Sequence, residues 1–151
     1  MRIVLQRVTG SSVRVDGSVV GSIEEGLVIL IGIEPGDTRR DIDRAVEKVA
    51  NMRVFADTDG HLNRSLLEVG GSALVVSQFT LLADVRKGRR PSFIGAAPPE
   101  MARPMVDGFV DALRQAGVHT ETGVFGAPME LELVNAGPVT IVLEVRDGQV
   151  R

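Results

Sequence analysis

Apolar and polar positions fall into three patterns along this chain of 151 residues. The first is a strand pattern. Ile3, Val4, Leu5 and Val8 make Met1 to Val8 a strand. Ser12 to Val15 and Val19 to Ile23 flank Asp16-Gly17, where glycine supplies the positive φ of a tight hairpin. Leu27-Val28-Ile29-Leu30-Ile31 has no polar position at all, which predicts a strand covered on both faces. Ala73 to Phe79 reads the same way. His119 to Thr122, Met129 to Val134 and Val139 to Val145 are three more strands. In the middle one, Met129, Leu131 and Leu133 alternate with Glu130 and Glu132, so one face is wet.

The second pattern has helical spacing. Asp37 or Thr38 caps a helix running to about Met52, with Ile42, Ala45, Val46 and Val49 on one face. Pro98-Pro99 opens another, with Met105, Phe109, Ala112 and Leu113 on one face and Gly117 just past its end. Pro104 falls inside it and predicts an irregular first turn or a later start. The third pattern is turn chemistry at Glu34-Pro35-Gly36, Asp57-Thr58-Asp59-Gly60 and Gly70-Gly71. Val54-Phe55 is a candidate short strand, and Ala83 to Ala97 is a long loop. With no repeat or linker, residues 1–151 predict a single α+β domain: about seven strands in a mixed, curled sheet, with two main helices packed against it.

Composition narrows the chemistry. The chain has no cysteine, which removes disulfides, thiolate nucleophiles and cysteine-ligated metals. Its two histidines, His61 and His119, are far apart and show no metal-protease spacing, so no metal is expected. Each reads more readily as a solvated or capping residue than as a catalytic base. The longest apolar run, Leu27 to Ile33, is too short to span a membrane. A formal net charge of −3 does not mark a general nucleic-acid binder. Against that background, Arg86-Lys87-Gly88-Arg89-Arg90 stands out as four cations in five residues. It is either a solvated loop or a phosphate contact, since arginine grips phosphate bidentately. Five phenylalanines and no tryptophan or tyrosine leave few partners for stacking on single-stranded bases.

Two motifs carry the remaining chemistry. Ser77-Gln78-Phe79-Thr80-Leu81 ends an apolar strand with three hydrogen-bonding side chains. Its hydroxyls either satisfy a turn or act as nucleophiles, and nucleophiles need a base nearby. Asn135-Ala136-Gly137-Pro138-Val139-Thr140 puts Gly-Pro between two strand patterns, where proline cannot donate to a ladder. It is either a trans turn or a rigid cis turn that presents two carbonyls to a ligand. Arg7, on an otherwise apolar strand, faces solvent or acts as an inward clamp that must find acceptors.

Together these residues resemble the D-aminoacyl-tRNA deacylase family over nearly the whole chain. Leu5-Gln6-Arg7-Val8, Leu74 to Leu81, Arg86 to Phe93, Thr122-Gly123-Val124-Phe125-Gly126 and Leu133 to Thr140 match its motifs in order. Ala136 departs from an acidic or polar position, and Gly60 to Ser65 is atypical around His61, Leu62 and Arg64. The resemblance implies a barrel-like core and a cytoplasmic homodimer with active sites at the subunit interface. It implies no cofactor, no membrane and no DNA partner. Ser77, Gln78, Phe79 and Thr80 would line the site of one subunit. Gly137-Pro138 would reach in from the other as a cis element held by Arg7, admitting D- and excluding L-amino acids. Arg86, Lys87, Arg89 and Arg90 would contact tRNA phosphates. The substrate would be D-aminoacyl-tRNA, with glycine mischarged on alanine tRNA as a further load. The resemblance points to the D-specific branch and not to its relative that edits L-alanine. Water attack would be assisted by the tRNA 2′-hydroxyl, with Thr80 as a covalent nucleophile the alternative.

Overall fold

A computed structural model describes all residues 1–151. In chain order the strands are β1 (Arg2–Val15), β2 (Ser18–Ile23), β3 (Gly26–Gly32), β4 (Phe55–Ala56), β5 (Leu62–Arg64), β6 (Ser72–Ser77), β7 (His119–Thr122), β8 (Glu130–Arg146) and β9 (Gln149–Val150). The α-helices are α1 (Arg39–Asn51), α2 (Leu66–Val69) and α3 (Pro99–Gln115), and Phe79–Leu82 forms a 3₁₀ turn. The main sheet runs β7-β6-β3-β1-β8-β9, with β2 paired to the far half of β1. The β3–β6 and β6–β7 pairs are parallel and the others antiparallel, so the sheet is mixed, as expected.

The sheet curls because β1 is long enough to serve two partners on one side. Arg2 to Val8 pairs with β3, and Ser11 to Val15 pairs with β2. The curl brings β2 against β7. A side chain at Gly21 would meet the Thr122 carbonyl oxygen at 2.6 Å, so only glycine permits that approach. Inside the curl lies a small apolar cluster of Val8, Val13, Ile23, Val28, Leu74 and Val76. The opposite face carries the larger core, where Leu27, Ile29, Ile31, Ala73 and Val75 meet α1 and α3 around Phe109. The run Leu27 to Ile31 thus feeds both cores, which is why it has no polar position.

The two expected breaks in the sheet are not breaks. Met1 to Val8 and Ser12 to Val15 form the single strand β1, and the two last strand patterns merge into β8. What happens instead is a change of face. Gln6 pairs with Thr140 and Val8 pairs with Asn135, so residues 136–139 bulge opposite Arg7 alone. Before the bulge, Leu131 and Leu133 pack on the inner cluster; after it, Ile141, Leu143 and Val145 join the outer core. In β1, Ile3 and Leu5 lie in the outer core and Val13 in the inner one.

The helix α1 starts after Thr38, the second of its two candidate caps. Buried Asp41 accepts from the Thr38 N–H at 2.8 Å and its hydroxyl at 2.7 Å, and from the Gly148 N–H at 2.8 Å. The helix α3 begins at Pro99 and passes through Pro104, so neither the late start nor the broken first turn occurs. Pro99 sits where the N–H would lack a partner anyway, whereas Pro104, in the second turn, forfeits the bond to the Glu100 carbonyl and the helix continues past it. The short helix α2 was not expected. Its capping box is plain in the sequence: Ser65 accepts from the Glu68 N–H, and the Glu68 carboxylate accepts from the Ser65 N–H. The candidate strand at Val54-Phe55 appears as β4, one residue later, and the β4–β5 and β8–β9 hairpins add two short strands, β5 and β9, that the apolar pattern was too brief to declare.

Candidate active site

The strand β6 stops at Ser77, two residues earlier than its apolar run suggests. Gln78 makes a last link to β3, its N–H donating to the Ile31 carbonyl at 2.8 Å. The chain then winds into the 3₁₀ turn, closed by the Leu81 N–H on the Gln78 carbonyl at 3.2 Å and the Ala83 N–H on that of Thr80 at 3.1 Å. The Gln78 side-chain amide donates to the Thr80 hydroxyl oxygen. The first N–H groups of a helical turn have no partner within it. Accordingly the N–H groups of Phe79 and Thr80 have no acceptor in the chain. Phe79 is 57% exposed and leans edge-on against Phe93, with ring centroids 5.0 Å apart.

A pocket of about 380 Å³ opens beside this turn. Ser77, Gln78 and Phe79 line it, but Thr80 does not. The end of β3 contributes Ile31 and Ile33, the loop Phe93 and Ala96, and α3 the stripe Pro99, Ala102 and Val106. Phe125 and Gly126 complete the wall. None of its 14 lining residues has an ionisable side chain. Neither histidine is among them. His119 pairs with Glu121 at 3.1 Å, and His61 lies in a turn where its N–H donates to Asp57. Asp57, Asp59 and His61 gather on that surface, where the contacts to Asp57 are those of the turn itself.

The Gly137–Pro138 peptide bond is cis, and both residues are exposed. Arg7 is half-buried and takes the inward option: it donates to the Ala136 carbonyl at 3.2 Å and the Val54 carbonyl at 2.6 Å. It thereby fixes the bulge to the segment after α1. A side chain at Gly137, whose φ is +121°, would meet Arg7 Nη2 at 2.7 Å. One chain does not unite this bulge with the Ser77 turn. Through the ladders, Ser77 is level with Ile31, Ile3 and then Leu143. Gly137-Pro138 therefore lies three strands across and several residues along, roughly 14 Å in the first direction alone at normal strand spacing.

The basic loop is exposed but not uniform. The Asp84–Ser92 bridge closes its base. Arg86 grips Asp84 through its side chain and its own N–H, which holds the Asp84 carboxyl well below the usual carboxylate range. Lys87, Arg89 and Arg90 make no ion pair. Three contributors to the site carried no signal that the apolar pattern could expose: Phe93, Phe125 and the α3 stripe meet Ser77 only through the fold.

The family model described as D-Tyr-tRNA(Tyr) deacylase matches residues 4–144. The D-aminoacyl-tRNA deacylase of Thermomicrobium roseum is 60% identical, with 99% of each chain covered. That of Thermus aquaticus is 54% identical, with 95% of each covered. Among solved structures, one named c-Myc DNA Unwinding Element Binding Protein superposes with a TM-score of 0.89 at 40% identity, covering 95% of this chain and 98% of that one. A probable eukaryotic D-amino acid tRNA deacylase shares the fold at a TM-score of 0.82 and 20% identity, covering 93% of this chain and 97% of that one.

Proposed function

The chain belongs to the D-Tyr-tRNA(Tyr) deacylase family, and on that premise we propose how its own residues carry out the reaction. It is a hydrolase whose substrate is D-aminoacyl-tRNA. Water adds to the ester carbonyl, the carbon–oxygen bond to the ribose breaks, and the released ribose oxygen takes a proton.

The observation that carries the reading is the pairing of two unpartnered N–H groups with a pocket free of ionisable side chains. The Phe79 and Thr80 N–H groups bind the carbonyl oxygen as it gains negative charge. An aminoacyl ester is already activated, so orientation and charge stabilisation suffice. No lining side chain can act as general base; the vicinal 2′-hydroxyl of the substrate instead positions the water and relays its proton, passing its own to the departing ribose oxygen as it receives that of the water. The terminal adenine lies in the apolar slot beside Phe79 and Phe93, with Ser77 and Gln78 orienting it.

A second copy of the chain supplies the chirality gate. Gly137 and Pro138 are too far from Ser77 in one chain, and they are exposed and available to another. The sheet around them also lacks cover: Val134, before the bulge, is 62% exposed on one face, and Val142, after it, is 60% exposed on the other. Enantiomers exchange hydrogen and side chain at Cα. Two fixed carbonyls leave room for the hydrogen only, which rejects L-amino acids and accepts glycine, including glycine carried on alanine tRNA. Arg7 positions that element, while Lys87, Arg89 and Arg90 contact tRNA phosphates; Arg86 braces the loop through Asp84.

The test follows ester loss from D-Tyr-tRNA and L-Tyr-tRNA at substoichiometric protein. Multiple turnovers on the D-ester alone are expected, and a large loss when the terminal adenosine lacks its 2′-hydroxyl. Stoichiometric protection of the ester would instead indicate a binding module. Undiminished hydrolysis of the 2′-deoxy substrate would remove the substrate-assisted step.

A further inference from the structure

Beside the apolar pocket lies a second cavity of about 360 Å³, and its character is different. It runs along α3 and is lined by Asp107, Asp111, Arg114 and Thr122. The two cavities share Ser77, Val106 and Phe125. The two cavities are therefore neighbours with a common wall.

A cation rests against Phe125, one of the shared residues, from the exposed side. Arg103 stacks on Phe125 with its guanidinium carbon 5.1 Å from the ring centroid, and it donates to the Phe125 carbonyl at 3.4 Å. Helical spacing puts it on the same face as Pro99 and Val106, which line the apolar pocket. It has no carboxylate partner. Inside the second cavity the polar groups are ordered differently. Arg114 spends Nε and Nη2 on the Thr120 carbonyl, at 3.3 and 3.0 Å. Its Nη1 faces Asp111 at 3.7 Å, which sets a donor beside an acceptor. Asp107 adds a second acceptor with no ion-pair partner.

A pocket with two carboxylates and one engaged arginine repels phosphate and suits a neutral group with an amino donor next to an acceptor. Cytosine presents that edge, an exocyclic amine beside a ring nitrogen, and carboxylates accept from that amine. The tRNA 3′ end carries cytidine immediately before the terminal adenosine. We propose that the second cavity is a subsite for this cytidine, and that Arg103 neutralises the phosphodiester crossing the Phe125 wall between the two nucleosides. The subsite rests on the reading that the apolar pocket takes the terminal adenosine.

D-Tyrosyl esters of adenosine, of cytidylyl-adenosine and of uridylyl-adenosine, compared with D-Tyr-tRNA, test it. The expected result is a kcat/KM for the cytidylyl ester about tenfold or more above that of the adenosine ester, the worth of one base-edge contact. The uridylyl ester, with a carbonyl in place of the amine, loses most of that gain. In Arg103→Ala and in the Asp107→Asn/Asp111→Asn double variant, the cytidylyl-to-adenosine ratio falls toward one. Arg103→Lys restores part of it, because charge and not the Phe125 stack is the working property. Thermal melting confirms that each variant is folded. Equal rates on the three small esters, or equal rates on the cytidylyl and uridylyl esters, would overturn the subsite. So would a gain that appears only with full-length tRNA. If D-Tyr-tRNA itself is not hydrolysed, the deacylase reading fails and not merely the subsite.

Discussion

The Thr80 hydroxyl illustrates how a residue's chemistry depends on what surrounds it. It accepts from the Gln78 amide, lies outside the pocket lining, and has no ionisable group in the pocket to take its proton. A nucleophilic hydroxyl needs such a base. Thr80→Ala is therefore expected to keep deacylation within about tenfold of the parent, because the backbone N–H that does the work is unchanged. A loss beyond a thousandfold in single-turnover assays would restore the nucleophile. At Gly137 the argument is steric. A methyl group there would collide with Arg7 and occupy a φ of +121°, so the bulge must move. Gly137→Ala is expected to lower the D-over-L preference at least tenfold, measured as the ratio of kcat/KM values. An unchanged ratio would separate that bulge from chiral selection.

Among the elements, α1 shows stability concentrated in one carboxylate. Burial pushes the Asp41 pKa up, but the N–H groups of Gly148 and Thr38 and the Thr38 hydroxyl outweigh it and hold the group below its usual value. A carboxylate depressed in the folded state contributes stability above its unfolded pKa of about 3.9, and that contribution disappears as pH falls through the lower folded value. Asp41→Ala removes the partner of the Thr38 N–H and hydroxyl and of the Gly148 N–H, at a cost of roughly 2 kcal/mol at neutral pH. Denaturant titrations at pH 7 and pH 3 should show the variant's deficit shrinking in acid. A deficit that is the same at both values would place the stabilisation elsewhere. The same helix start was legible in the sequence because its signals are local: Thr38, Asp41 and the apolar stripe lie within a few turns. The capping box of α2 was equally local. The unions of β1 and of β8 were not legible, because glycine and proline mark a bulge and a turn alike. What decides between them is the partner strand.

Across the whole molecule, the sheet places the Ser77 turn and the Gly137 bulge in different regions of one chain, with uncovered apolar surface nearby. Both motifs could be read in the sequence, whereas their separation could not, since it is set by strand order. The proposed interface makes a direct prediction at Val142, which is already 60% exposed and contributes little to the fold of one chain. Val142→Glu should leave the melting of dilute protein within a few degrees of the parent, yet shift sedimentation toward the monomer and reduce activity in step. A variant that sediments as a monomer and remains fully active would show that one chain suffices.

The bulge opposite Arg7 also governs parity. A regular strand sends odd and even residues to opposite faces, but here Leu131 and Leu143 serve different cores although an even number of steps separates them. The excursion at 136–139 works as a half-turn in the reading frame of side chains. Removing or adding a single residue there would send Leu131 and Leu133, or else Leu143 and Val145, to the wrong core. A change of two would restore the alternation. The length of this segment is therefore constrained modulo two by packing, independently of any demand made by the substrate.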